Sequence, residues 1–200
     1  KTVIFRRKCI MFPYLGHFNL DWNRIDRYCN SGLWFDLGYP RIKNENDHWR
    51  HQKNKQWYND NNSSVKELWA TEQEFFPDSW FYTLGLQKDK YTAKIFWTKP
   101  GNFEPPHVDF FPSFIGEHNQ KGNRWSDEEI AIEGKKILRA WIPLQDSKLG
   151  HILYGEDYAL AKWKLGDVFE LPSGVRHGFA NGGTKDRFLL VFTGYRNGEN

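Results

Sequence analysis

Two textures meet near residue 90. Beyond it, short apolar or alternating runs recur: Tyr91–Thr98, His107–Phe111, Ile137–Leu144, Ile152–Tyr154, Val168–Leu171, His177–Ala180 and Arg187–Thr193. Turn signals separate them, among them Lys99-Pro100-Gly101, Gly166-Asp167 and Asn181-Gly182-Gly183. Many short strands at such spacing predict a sandwich or barrel of the jelly-roll kind rather than βαβ units. One long segment, Pro112–Lys136, interrupts the series, and an insertion of that length in a compact unit is usually functional or mobile.

Before residue 90 the pattern is helical. Asn23–Asn30 predicts a short helix that stops ahead of Gly32. Val65–Phe76 predicts a second: Ser64 and Glu67 match the capping-box spacing, Val65, Leu68, Trp69, Glu72, Phe75 and Phe76 form a mostly apolar helical stripe, and Pro77 closes it. The expected organisation is one domain over 1–200. Residues 1–90 form a helical and loop support region, and 91–200 a mainly β core with 112–136 as a lid-like insertion.

Composition narrows the class. Of 200 residues, 10 Trp, 9 Tyr and 16 Phe are aromatic, which argues against disorder. No apolar run approaches the ~18–20 residues of a membrane span, and the charged start (Lys1, Arg6, Arg7, Lys8) has no signal-peptide core. With only Cys9 and Cys29, the expectation is free thiols in a reducing, cytoplasmic setting. A net charge of +3 is too mild to argue for nucleic acid. The one basic and aromatic patch, His48 to Trp57 with Arg50, Lys53 and Lys55, reads first as a solvated helix face.

Candidate chemistry concentrates in His107-Val108-Asp109, His177 and Arg187. Two imidazoles and a carboxylate can hold one face of a non-haem iron and leave positions open for other ligands. Residues i and i+2 of a strand point the same way, so His107 and Asp109 can reach one metal while His177 arrives from a neighbouring strand. Arg187 follows ten residues later across the Asn181–Thr184 turn. A hairpin there would bring its guanidinium, a bidentate partner for carboxylates, into the same cavity. A lone His-x-Asp is weak in a chain with seven His; the joint pattern on β-type segments carries the signal.

With these residues the sequence resembles the iron(II)/2-oxoglutarate-dependent oxygenases, whose signature is His-x-Asp…His followed by Arg or Lys about ten residues on. The resemblance spans residues 91 to 195. Trp97-Thr98-Lys99-Pro100-Gly101 through His107 looks like the approach strand of prolyl-hydroxylase-like members, and His177-Gly178-Phe179-Ala180-Asn181 with Arg187 is similar to aspartyl/asparaginyl-hydroxylase-like members. It implies a double-stranded β-helix, cupin-like, with the N-terminal helices packed on it. It implies iron(II) held by His107, Asp109 and His177, with 2-oxoglutarate and dioxygen as cosubstrates and ascorbate as a supporting reductant. Arg187 would hold the distal carboxylate of 2-oxoglutarate, which is decarboxylated to succinate as a substrate is hydroxylated. Many members carry a Ser two positions after the basic residue; here it is Leu189, so the second carboxylate contact is sought among Tyr91, Tyr154 and Thr193, with Trp97, where prolyl-hydroxylase-like members often carry a Tyr, as a further cosubstrate contact. Asn181, His151 and Trp125 are the candidates to face substrate, a peptide side chain or a small metabolite; neither nucleic acid nor membrane is expected as a partner. The competing reading is a cupin-like jelly roll that binds a metal or ligand without oxidative turnover, since the barrel pattern serves many functions.

Overall fold

Nested pairing explains why these short runs persist as strands. The computed structural model describes residues 12–31, 34–36, 65–69, 76–108, 114–115, 126–155 and 158–198. Eight strands form the core: β4 (Leu86–Thr98), β5 (Phe103–Val108), β6 (Ile137–Pro143), β7 (His151–Gly155), β8 (Ala159–Leu160), β9 (Asp167–Glu170), β10 (Arg176–Asn181) and β11 (Arg187–Arg196). The first pairs with the last, β4 with β11, then β5 with β10, β6 with β9 and β7 with β8, all antiparallel. One long ribbon is therefore folded back on itself and wound, with successive pairs going to opposite sheets. This is a double-stranded β-helix, the cupin-type jelly roll.

The first ninety residues contribute more than helices. Strands β1 (Tyr14–His17), β2 (Phe35–Asp36) and β3 (Val65–Trp69) extend the larger sheet, whose order is β1-β9-β6-β11-β4-β3-β2; the smaller is β5-β10-β7-β8. The helix expected over Val65–Phe76 is corrected here. Val65–Trp69 is a strand, paired with β4 from Val65↔Thr98 to Trp69↔Lys94. The ladder gives the free side of β4 its backbone partners, and Leu68, opposite Ile95, is buried there. Together they outweigh a local capping pattern. Pro77 does not end a helix but caps the start of α2 (Asp78–Leu84). Residues 70–75 lie outside the described set.

Alternation along each strand builds two layers. From β11, Leu190 and Phe192 face outward with Ala93 and Ile95 of β4 and Leu138, Ala140 and Ile142 of β6. Onto this face pack α1 (Trp22–Ser31), through Ile25 and Cys29, and α2, through Trp80, Phe81 and Leu84. Aromatic rings do much of the joining: Phe18 stacks on Trp80 at 4.3 Å, and Phe192 meets Phe76, Phe81 and Tyr91 at 5.4, 5.4 and 4.9 Å. Cys29 is a buried thiol whose pKa burial, helped by Asp26, pushes up to about 12. Cys9 and the His48–Trp57 patch lie outside the described residues.

Within the long insertion, α3 (Asp127–Gly134) starts on a true capping box: Ser126 Oγ accepts from Glu129 N–H, and the Glu129 carboxylate accepts from Ser126 N–H. Phe114 and Ile115 are buried with Ile137 and Tyr195. The Phe114–Ile115 part of the segment is thus docked; Phe110, Phe111, His118 and Trp125 fall outside the described residues. No helix among the described residues is long and apolar enough to cross a membrane.

The β10–β11 connection is not a hairpin, because the two strands lie in opposite sheets. Asn181 and His151 hold this corner. Asn181 Nδ2 donates to the carbonyls of Thr98 and Lys185 (both 2.8 Å), while its Oδ1 accepts from Gly183 N–H at 3.1 Å. Fully buried His151 accepts the Lys148 N–H at Nδ1 (3.3 Å), so Nε2 carries the proton given to the Lys185 carbonyl at 3.1 Å. Both side chains are spent on the frame rather than turned to substrate, correcting their expected role.

Two outcomes follow for stability. Phe192→Ala should cost about 3–5 kcal/mol, read as a lower urea midpoint at unchanged m-value. For His151, burial and then the charges of Arg187 and Lys148 outweigh the Lys185 bond and lower its pKa. The unfolded chain therefore binds more protons below the ordinary value of ~6.5. Stability should fall as pH drops through that value, by at most ~1.4 kcal/mol per unit. His151→Gln should flatten that part of the slope in urea unfolding at pH 5–7.

Candidate metal and carboxylate site

His107 and His177 meet by strand register. They are directly opposite on β5 and β10, both buried, with ring centroids 4.3 Å apart. His177 Nδ1 lies 2.8 Å from the Val175 carbonyl; a carbonyl only accepts, so Nδ1 carries a proton, and in the neutral ring Nε2 is then the lone-pair nitrogen. Trp141, from the opposite sheet, packs edge-on to the His177 ring at 5.4 Å. Among the described residues no third His, Cys, Asp or Glu completes a cation-holding group. Asp109, expected as that third ligand, lies outside them.

β5 and β10 do not run in even step. Between His177↔His107 and Phe179↔Glu104, β10 advances two residues and β5 three, a β-bulge at Pro105-Pro106. On a regular strand, an odd separation would put Glu104 and His107 on opposite faces. The surplus residue returns both to the inner face. Gly178 makes room for the supporting bond: Tyr154 donates its hydroxyl to the Glu104 carbonyl at 2.6 Å, and a Cβ on Gly178 would stand 2.6 Å from both oxygens. Tyr154 sits opposite Gly178 and hence on the outer face, away from His177. Its expected cosubstrate contact is therefore corrected. Burial, with Glu104's charge, raises its pKa to about 12, so the hydroxyl stays a donor.

Arg187 points between the sheets. It is fully buried, and its guanidinium stands 4.6 Å over the Phe179 ring and 5.8 Å from that of Trp163. Nη1 donates to Thr98 Oγ1 across a long 3.4 Å, while Nε and Nη2 have no hydrogen-bond partner. Burial pulls the guanidinium's pKa down to about 9, with Glu104's charge opposing the fall. A buried cation without a partner is costly. Nε and Nη2 are the edge that receives a carboxylate side-on through two hydrogen bonds. Phe179 lies two residues beyond His177 on the same face, so one strand step of ~7 Å separates the histidine pair from the ring under Arg187.

The remaining sequence candidates lie elsewhere. Trp97 is on the outer face, its ring against Trp34 and Phe188 with Lys99 above it. Thr193 faces inward but six residues from Arg187, ~20 Å along the strand, where it accepts from Arg139 Nε at 3.1 Å. Neither accompanies Arg187, and both expected contacts are corrected. Trp125 is outside the described residues. Sequence reasoning missed Thr98, whose place opposite Arg187 follows from the β4–β11 register, and Glu104, whose face the bulge sets.

No family model matches the chain and no curated protein matches it in sequence. Among solved structures it is similar to a predicted oxalate decarboxylase from Thermotoga maritima (13% identity, 66% of this chain and 81% of that one, TM-score 0.38). It is also similar to a cupin 2 conserved barrel domain protein from Salinispora arenicola (15%, 52% and 62%, TM-score 0.33). A third is the polyketide cyclase RemF from Streptomyces resistomycificus (14%, 65% and 64%, TM-score 0.37). Likenesses this remote lend no functional argument, and the fold stands on the chain's own strand pairing.

Proposed function

We propose that the protein is an iron(II)- and 2-oxoglutarate-dependent dioxygenase that hydroxylates a peptide or protein side chain or a small metabolite. The observation that carries this reading is Arg187: a fully buried guanidinium with two unpartnered N–H donors, over the Phe179 ring that lies one strand step from a facing pair of imidazoles. A buried guanidinium with two unsatisfied N–H donors is suited to receive an anion. A short dicarboxylate suits the span, one acid on Arg187 and the other end near His107 and His177.

The donor set fits iron(II). His177 presents its lone-pair nitrogen, His107 stands opposite, and Asp109 two residues on is the proposed third ligand. Iron, when bound, would supply the oxidative chemistry. The chain's own residues would fix geometry and exclude water. Arg187 orients the distal carboxylate; the Val175 carbonyl fixes the His177 tautomer; Phe96, Trp141, Phe179 and Leu189 belong to one apolar cluster of the barrel interior.

The competing reading, a cupin-like metal or ligand binder without turnover, has no need of a buried carboxylate clamp. The two separate by experiment. Anaerobic addition of iron(II) and 2-oxoglutarate should give a weak visible charge-transfer band, lost in His107→Ala, and aerobic incubation should yield succinate. Arg187→Met should weaken 2-oxoglutarate binding ~10–100-fold, as expected for a buried charge-assisted pair. A wild-type protein with neither band nor succinate overturns the proposal.

A further inference from the structure

Glu104 carries a charge that the proposed reaction does not use. Its Oε1 lies 3.7 Å from His107 Nε2, and its side chain is three-quarters buried at 24% exposure. It stands opposite Phe179, the ring beneath Arg187, and its field also acts on that guanidinium. Several features place it there: the one-residue surplus at Pro105-Pro106 turns it inward, Gly178 leaves the room, and Tyr154 pins its backbone carbonyl. A carboxylate has thus been brought onto the inner face beside the histidine pair.

We infer that Glu104 selects charge at this site: it favours a divalent cation at His107 and His177 and disfavours a second carboxylate there until that cation is present. This rests on the oxygenase reading for the identity of the dicarboxylate, but not for the cation. The reasoning is electrostatic. A negative group within a few ångströms of an imidazole pair strengthens any cation the pair holds. It also opposes the inner carboxylate of a dianion whose outer carboxylate sits on Arg187. Without the cation nothing offsets that opposition; with it, direct attraction does. The dependence of dicarboxylate binding on metal is then built into the barrel wall by one side chain.

The test is Glu104→Gln, which keeps size and removes charge, read by calorimetric titration. Manganese(II) affinity should fall ~3–10-fold. Affinity for 2-oxoglutarate in the presence of a chelator should rise by a similar factor, and 0.5 M salt should shrink both effects. Glu104→Asp, which keeps the charge, should hold both affinities near wild type. Opposite signs matter, because damage to the fold lowers both. If the two affinities move together, or neither moves, while Arg187→Met still weakens 2-oxoglutarate binding, the inference fails and the oxygenase reading stands. If 2-oxoglutarate binds neither variant nor wild type, with or without manganese, the oxygenase reading fails, and the manganese arm alone decides Glu104's role.

Discussion

The register between β4 and β11 is the constraint on which the other features depend. Along β11, Arg187, Leu189, Val191 and Thr193 face inward and Phe188, Leu190 and Phe192 outward. Leu190 and Phe192 meet the helical layer, and Leu189 and Val191 join the barrel interior. A slip of one residue would exchange the two sets. Phe192 would then enter the barrel, and Arg187 would turn to the outer face, where Phe188 now meets Trp34 and Trp97. Stability and site are therefore specified by the same alternation. The outer face supplies the apolar area that makes any other register costly, and the inner face inherits its orientation from that choice.

A second pattern separates frame from chemistry. Asn181, His151 and Tyr154 are polar, buried or half-buried, and near the site, and each has its hydrogen-bonding capacity directed at backbone groups. They tie corners and a bulge. Arg187 differs in kind, because after Thr98 it retains two donors with nothing to receive them. In an interior where buried polar groups are normally satisfied, an orphaned charged donor is the exception that calls for a ligand. Satisfied groups report how the site is held, and unsatisfied ones report what it holds.

The barrel strands were legible because a half-buried strand writes its periodicity into the chain, and each run from Ile137–Leu144 to Arg187–Thr193 kept its place within a few residues. Val65–Trp69 was not, since Val65, Leu68 and Trp69 satisfy helical spacing and a five-residue strand is too short to show a period of two. The Ser126–Glu129 capping box was as plain in sequence as the false one at Ser64–Glu67; tertiary pairing decides between such signals, not the motif. For the site, His107, His177 and Arg187 announce themselves by spacing. Trp97 and Tyr154 failed because a residue's face depends on where the strand begins and whether it bulges, and neither is written locally. Glu104 is the sharpest instance: three residues before a histidine, parity alone would send it outward.

The inner face of β11 also bears on what a ligand can touch. Arg187 lies at one end and Thr193, bonded to Arg139, at the other, with Leu189 and Val191 between them. Six residues of strand separate the ends by ~20 Å, more than a five-carbon dicarboxylate spans. The histidine pair sits between, since His177 meets Trp141, which is paired with Val191, and Phe179 reaches Arg187. A ligand seated on Arg187 and reaching the histidines therefore leaves Arg139 and Thr193 to another group. On β11 itself the ends are polar and the middle is apolar, and the groups that could act on a ligand between those ends come from the facing sheet: His107, His177 and the Glu104 carboxylate beside His107.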